Sequence, residues 1–359
     1  MSARIIITGA SGNVGTVLLR RLAEESADYE VVGLTRREPS PTDVYRSVTW
    51  HQVDLGSPGV ETLLDNVFRG ADCVVHLAWG FQPTRNTRYL FDVAINGSAA
   101  VLRAAHRANV PHLVHMSSVG TYAPGRYGRK VDETWSTAGV RSSTYSRAKS
   151  AVEAMLDEYE RRNPSGVGIT RLRPGLIVQR DAAAGLRRYV LPAYINTHWL
   201  RWLLVLPLDR SLAISLVHTD DVADAIARAI KSRAVGPFNL AGEPPVRRDD
   251  IAQVLGARSV HVPSAVLRPL VQTSWRLRLQ PIDRGWLDLA FSVPLLDTAR
   301  ARRVLDWSPR WDAVEALADL VDGLVHGTGT PSPVLRPRSF LRAISRDVSE
   351  GPITSRHVP

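Results

Sequence analysis

Thr8-Gly9-Ala10-Ser11-Gly12-Asn13-Val14-Gly15 follows Arg4-Ile5-Ile6-Ile7 at the start of this 359-residue chain. The unbroken apolar run predicts a strand buried on both faces. Gly9, Gly12 and Gly15 allow a sharp bend and a close approach to the backbone. Val14, Val17, Leu18 and Leu22 then recur at helical spacing, so the turn opens a helix. Free N–H groups and the positive end of the helix dipole face whatever sits at such a turn, which suits an anion. At the head of a βαβ unit this arrangement marks a dinucleotide site, with Gly9, Ser11, Gly12, Asn13, Val14 and Gly15 as its candidate residues.

The pattern continues outward from that turn. Apolar runs at 29–34, 48–53, 73–77, 112–116 and 169–173 predict strands. Residues 91–108 and 142–162 carry helical spacing. The alternation predicts an α/β fold, a Rossmann-type doubly wound parallel sheet over residues 1–180. Residues 181–330 are expected to form a smaller C-terminal substrate lobe, with 217–242 returning to the sheet as a helix from Val217 and a strand near Phe238. Residues 331–359 are rich in Pro, Arg and Ser and are expected to form a mobile tail or an arm on a neighbour.

The net charge is +10, yet the arginines stand singly or in pairs and form no basic tract. No nucleic-acid-binding signature accompanies them, so no nucleic-acid partner is expected. The lone Cys73 excludes a disulfide framework and suits a small buried hydrophobe. The ten histidines form no ligand pattern, and no metal is expected. The stretch 199–208 is interrupted by Arg201 and Pro207 and is too short to span a bilayer. Broken periodicity disfavours an interfacial role for 186–206. The expectation is a cytoplasmic protein with no secretory signal and no membrane insertion.

The second strand ends in Leu34-Thr35-Arg36-Arg37, with no carboxylate before Glu38. An NAD site places a carboxylate there for the ribose 2′-hydroxyl, whereas paired guanidiniums suit a 2′-phosphate. NADP is therefore expected, with NAD as the alternative, and Arg36 and Arg37 as its readers. Asp54 is suited equally to the adenine amine or to capping the next helix.

Tyr145-Ser146-Arg147-Ala148-Lys149 sets a phenol and an ammonium one helical turn apart on one face. Lys149 is one of three lysines in the chain, the others being Lys130 and Lys231. A phenol titrates near about 10, and an adjacent ammonium lowers that value toward useful proton exchange with a carbinol or carbonyl. Ser117 and Ser118 end the strand at 112–116 and offer a hydroxyl to the reacting oxygen. The plainer reading is an exposed Tyr–Lys helix pair.

With these pieces assembled, the chain resembles the extended short-chain dehydrogenase/reductase superfamily, the NAD(P)-dependent epimerase/dehydratase group, over about residues 3–325. The resemblance rests on the glycine turn, Asp54-Leu55, His76-Leu77-Ala78, Asn96-Gly97, Ser117-Ser118, the Tyr145/Lys149 pair, Arg173-Pro174-Gly175, His218-Thr219-Asp220-Asp221-Val222-Ala223 and Leu305-Asp306-Trp307-Ser308-Pro309. It implies Ser118, Tyr145 and Lys149 as catalytic residues. It further implies that Leu55, Leu77, Ala78, Trp79, Asn96, Pro174, Gly175 and Leu176 adjoin the cofactor, with Lys149 on the nicotinamide ribose. Trp79, Ser118, Val119, Tyr189, Tyr194 and Trp199 are the candidate substrate contacts.

Three departures bear on the substrate. Gly175-Leu176-Ile177-Val178-Gln179 replaces the Asn-containing segment usual in sugar-nucleotide members, Ser211-Leu212-Ala213-Ile214-Ser215-Leu216 replaces their Arg-Asp-Phe/Tyr pattern, and Val119-Gly120 replaces the acidic pair usual in dehydratases. The reading from sequence is an NADP(H)-dependent oxidoreductase acting on a carbonyl or secondary alcohol of a small, apolar or aromatic molecule. The alternatives are a sugar-nucleotide epimerase with tightly held NAD and a non-catalytic cofactor-sensing scaffold. A homodimer is expected.

Overall fold

The computed structural model describes residues 2–25, 28–80, 91–125, 127–190, 203–277, 279–280 and 282–336; for 187–190 only the backbone is described. Seven strands form the central sheet: β1 (Ala3–Thr8), β2 (Tyr29–Thr35), β3 (Thr49–Gln52), β4 (Cys73–His76), β5 (His112–Met116), β6 (Gly168–Pro174) and β7 (Gly236–Leu240). Their spatial order is β7-β6-β5-β4-β1-β2-β3, and every pairing is parallel. Parallel strands need crossovers, and helices α1 (Asn13–Ala23), α2 (Val60–Phe68), α3 (Gly97–Arg107), α4 (Thr144–Arg162) and α5 (Thr219–Ser232) belong to them.

Alternation along β1 shows why both faces are covered. Ile5 and Ile7 join one core with Val17 and Leu18 of α1 and Val222 and Ile226 of α5. Ile6 joins the opposite core with Leu64 and Phe68 of α2, Val101 of α3 and Val152 of α4. All three isoleucines are fully buried. A strand buried on both sides has no polar face, and this accounts for its unbroken apolar sequence.

Some boundaries differ from the sequence expectation. Helix α2 carries no signal strong enough to be read in advance; it starts after Gly59, whose φ of +76° makes the turn. Val217 and His218 end a short strand, Leu216–His218, which pairs with Leu176–Val178; α5 begins only at Thr219, with the His218 side chain accepting from Asp220 N. Residues 92–96 form a π-helical turn ahead of α3.

Beyond β6 the chain adds helices α6 (Ser264–Arg276), α7 (Arg284–Ala290) and α8 (Ala313–His326). Past α8 the chain crosses back to the glycine turn. Ser332 Oγ donates to the Ser11 carbonyl at 2.5 Å, and Thr330, Tyr45 and Thr16 form a hydroxyl chain at 3.3 and 2.9 Å. The first residues of the sequence-defined tail thus lie against their own chain, with Ser332 fully buried.

Candidate active site

Parallel strands gather their C-terminal ends along one edge, and there the candidate residues lie. Gly9 follows β1 at φ +73°, and a Cβ added to it would stand 2.8 Å from the Ala78 nitrogen. Gly15 is equally constrained, since a Cβ would meet the Gly9 and Ala10 carbonyls at 2.5 Å. Gly12 caps α1 without a side-chain hydrogen bond, and the first turn of α1 carries no acidic residue. The helix end therefore keeps its dipole uncompensated, which fits a dinucleotide pyrophosphate. Ser11 Oγ bonds Thr35 Oγ1 at 2.7 Å, and Thr35 in turn donates to the Arg37 carbonyl at 3.0 Å. Arg36 is half-buried and Arg37 exposed just beyond β2.

Asn13 is held from a distance. Asn13 Oδ1 accepts from Gln179 Nε2 at 2.6 Å and from Thr219 Oγ1 at 3.4 Å. The Gln179 amide thus locks the glycine turn to the end of the 176–178 strand. No local pattern announces this contact, because 166 residues separate the partners.

At the end of β5, Ser118 Oγ accepts from Gly120 N at 3.0 Å and hydrogen-bonds the Tyr145 phenol. The Tyr145 ring lies edge-on to Trp79, 6.3 Å between centroids, and stacks on Trp286 of α7 at 5.2 Å. Lys149 Nζ donates to the Met116 carbonyl at 2.8 Å and sits 3.4 Å from the centre of the Trp79 ring. Such a contact favours the ammonium.

The proton balance differs from the sequence expectation. Burial pushes the Tyr145 phenol up to about 12, the Ser118 bond opposing it. Burial pushes Lys149 down to about 7, opposed by the Glu153 carboxylate. The phenol is therefore not depressed: enclosure by indoles outweighs an ammonium turned toward Met116 and Trp79, with Nζ 6.0 Å from the Tyr145 ring centre. Burial holds the Tyr145 phenol in its protonated form, and the Ser118 hydroxyl at its oxygen favours the phenolate.

Behind the pair, Glu153 extends the same helical stripe and is fully buried. Arg173 grips it through Nε at 2.9 Å and Nη2 at 2.8 Å, Arg171 Nη1 reaches it at 3.0 Å, and Ser117 Oγ donates at 2.5 Å. Burial alone would raise the carboxyl, but these donors hold it down at about 2. Ser117 is thereby tied to the scaffold, and Ser118 is left to face the phenol.

The other expected residues have contacts of their own. Asn96 is exposed, and its Nδ2 donates to Asp92 Oδ1 at 3.2 Å within the π-helical turn. Leu55 packs into the core, where a Cβ at Gly97 would come within 3.0 Å of its Cβ. Asp54 Oδ1 accepts from Gly56 N at 2.9 Å, a local turn. Gly175 permits a close crossing, since a Cβ there would strike the Ser215 carbonyl at 2.3 Å. Pro174 ends β6 beside it, and Leu176 is exposed. Ala78 donates to Thr8 Oγ1 at 3.2 Å, and Leu77 and Val14 pack on the core. Val119 opens the short turn after Ser118. Tyr194 and Trp199 lie outside the described residues, as does the Tyr189 side chain.

Gly120 supplies a direct test of the geometry. A Cβ at that position would stand 2.8 Å from Tyr145 Cε1, so Gly120→Ala must push the phenol off Ser118. The expected result is a fall in kcat of about 10²-fold, with cofactor affinity unchanged by fluorescence titration. An unaltered kcat would dissociate this ring position from the chemistry.

A family model for the NAD dependent epimerase/dehydratase family matches residues 5–241. An uncharacterized protein of Mycobacterium tuberculosis is 30% identical over 326 residues, 88% of this chain; the chain spans only 29% of that relative's length. An N-acetyl-alpha-D-glucosaminyl-diphospho-ditrans,octacis-undecaprenol 4-epimerase of Escherichia coli is 26% identical over 178 residues, 49% of this chain and 50% of that one. Among solved structures, the UDP-glucose 4-epimerase of Stenotrophomonas maltophila with bound NAD superposes with a TM-score of 0.68 at 19% identity, covering 90% of this chain and 98% of that one. At that identity the likeness concerns the fold.

Proposed function

This chain belongs to the NAD dependent epimerase/dehydratase family, and on that premise we propose that it inverts a secondary carbinol by reversible oxidation, as a sugar-type epimerase. The observation that carries the reading is the Tyr145 phenol hydrogen-bonded to Ser118 at the end of β5, one helical turn from Lys149 and on the same sheet edge as the glycine turn. The described relative and the solved neighbour are both 4-epimerases. When bound, a nicotinamide dinucleotide would take up a hydride and return it. Gly9, Gly12 and the N-terminus of α1 would hold its pyrophosphate, and Lys149 its ribose.

The residues of the chain supply the proton chemistry. Tyr145 hands its proton to a carbonyl oxygen held by Ser118; the reverse step needs the phenolate, which an ammonium at Lys149 stabilises. Trp79 and Trp286 wall the phenol with aromatic surface and keep water away from it. Ser332 on the Ser11 carbonyl and Gln179 on Asn13 brace the glycine turn, which supports a cofactor retained between half-reactions.

A purified sample, denatured and assayed for released dinucleotide, tests this. Near-stoichiometric NAD(P), with sugar substrate isomerised and no net cofactor oxidation, is the expected result. A protein free of dinucleotide that consumes NADPH against a ketone would establish the second reading, net reduction, which the Arg36-Arg37 pair at the end of β2 favours. In either case Arg36→Ala is expected to weaken a 2′-phosphorylated cofactor by about 10- to 100-fold and leave the unphosphorylated one unchanged. Equal losses would show that Arg36 does not contact the 2′ position.

A further inference from the structure

We propose that the lobe carrying α6 docks on an anionic lipid bilayer, lying on the surface without crossing it. The claim is independent of the reaction assigned above. A surface helix ordinarily turns its polar face outward. Helix α6 departs from this: Leu267, Val271 and Trp275 are half-buried, no residue is fully buried, and Val266 and Leu270 are 49% and 60% exposed, with Leu277 just past its end 64% exposed. At about 100° per residue, positions 266, 270 and 277 fall within about 40° of one another. The apolar stripe therefore faces out along the whole helix.

The adjoining ladder has the same character. Strand Val205–Leu208 pairs in parallel with Arg258–His261 in the register Arg258 with Val205 and Val260 with Pro207. Residues alternate across a ladder, so Val205, Pro207, Arg258 and Val260 share one face. All four are exposed, and Leu204 before them is 79% exposed. The Ser264 nitrogen donates to Asp209 Oδ2 at 2.6 Å, which ties the start of α6 to the end of this ladder.

Charge selects the partner. From residue 251 to residue 282 the sequence holds Arg258, Arg268, Arg276 and Arg278 and no carboxylate. Arg268 is paired with Asp288 of α7 at 3.0 Å, whereas Arg258 and Arg276 stand exposed beside the apolar residues. Asp209 is engaged by Ser211 and Ser264, and Asp249 by Arg248 and Ser259, so exposed aliphatic side chains bordered by arginines remain, which match acyl chains beneath anionic headgroups. No described helix is long and apolar enough to cross a membrane, in keeping with attachment at the surface.

Flotation of the full chain with vesicles decides the matter. Vesicles of phosphatidylglycerol and phosphatidylcholine are expected to carry at least about tenfold more protein than pure phosphatidylcholine. Leu270→Glu and Arg258→Glu, both at exposed positions, are each expected to cut that binding about tenfold or more. The thermal melting curve and nicotinamide-cofactor titration should stay unchanged. Absence of vesicle binding, or undiminished binding by both variants, overturns the proposal. So does sedimentation showing self-association of the wild type that Leu270→Glu abolishes without any vesicle binding, because a second copy would then be the occupant. None of these readouts uses turnover, so a failure here leaves the epimerase reading untouched, and the converse holds.

Discussion

Replacing Tyr145 by Phe is expected to lower turnover by about 10³-fold while leaving nicotinamide-cofactor affinity where it was. The ring itself is fixed by Trp286 stacked on one side and Trp79 edge-on at another. Both contacts survive the substitution, so only the hydroxyl is removed. With it go the bond to Ser118 and the proton that the reacting oxygen must receive. Ser118 cannot substitute, because an aliphatic hydroxyl is a far weaker acid than a phenol. Steady-state rates and a fluorescence titration on the same preparation separate the two effects. A variant that retained wild-type turnover would remove Tyr145 from the mechanism.

Removing Glu153 is expected to have the largest effect on stability. Glu153→Ala leaves two guanidiniums and the Ser117 hydroxyl without the carboxylate they converge upon. Breaking one side of a buried ion pair costs about 3–5 kcal/mol. Arg173 would keep Tyr122 Oη at 3.1 Å and the Glu133 carbonyl at 3.0 Å, which places the expected loss near the lower end of that range. Glu153→Gln preserves shape and loses charge, and should lie between wild type and Ala. Urea midpoints at constant m-value measure both, and a loss below about 1 kcal/mol for Ala would contradict the burial argument.

The same carboxyl sets an acid limit. An unfolded glutamate titrates near about 4.3, whereas the folded group is held at about 2. Its contribution is complete above the unfolded value and disappears as pH falls through the folded one. The wild type should therefore lose stability between these values more steeply than Glu153→Gln, which has no such proton to take up.

Local signals carried the parts of the fold and site that the sequence disclosed. The runs in β1 and β4 are apolar because both faces of those strands are covered, and a one-dimensional pattern records that burial directly. Tyr145 and Lys149 are four residues apart on one helix, and Ser118 directly follows a strand, so each announces itself within a few positions. Trp286, Gln179, Glu153 and Ser332 do not. Trp286 reaches Tyr145 from a segment about 140 residues later, and Gln179 meets Asn13 across 166 residues; no periodicity encodes such meetings. Glu153 looks like any polar residue on a surface helix until Arg171 and Arg173 of β6 are seen beneath it. Asn96 and Leu55 sit in motifs that match, and the bond to Asp92 and the packing against Gly97 show local roles that the motifs did not reveal.

The hydrogen bond from Ser332 to Ser11 joins residues 321 positions apart, and that separation orders events during synthesis. A chain emerging from the ribosome can pair β1 with β2 within its first few dozen residues and can bring Gln179 to the glycine turn next, but the Ser332 brace must wait until about 150 residues more have been made. Contacts between such distant points close late, since the intervening chain must first surrender its freedom. The nascent sheet thus carries a cradle fastened on one side only, and arrival of the segment around Ser332, rather than completion of the sheet, finishes the bracing of the turn.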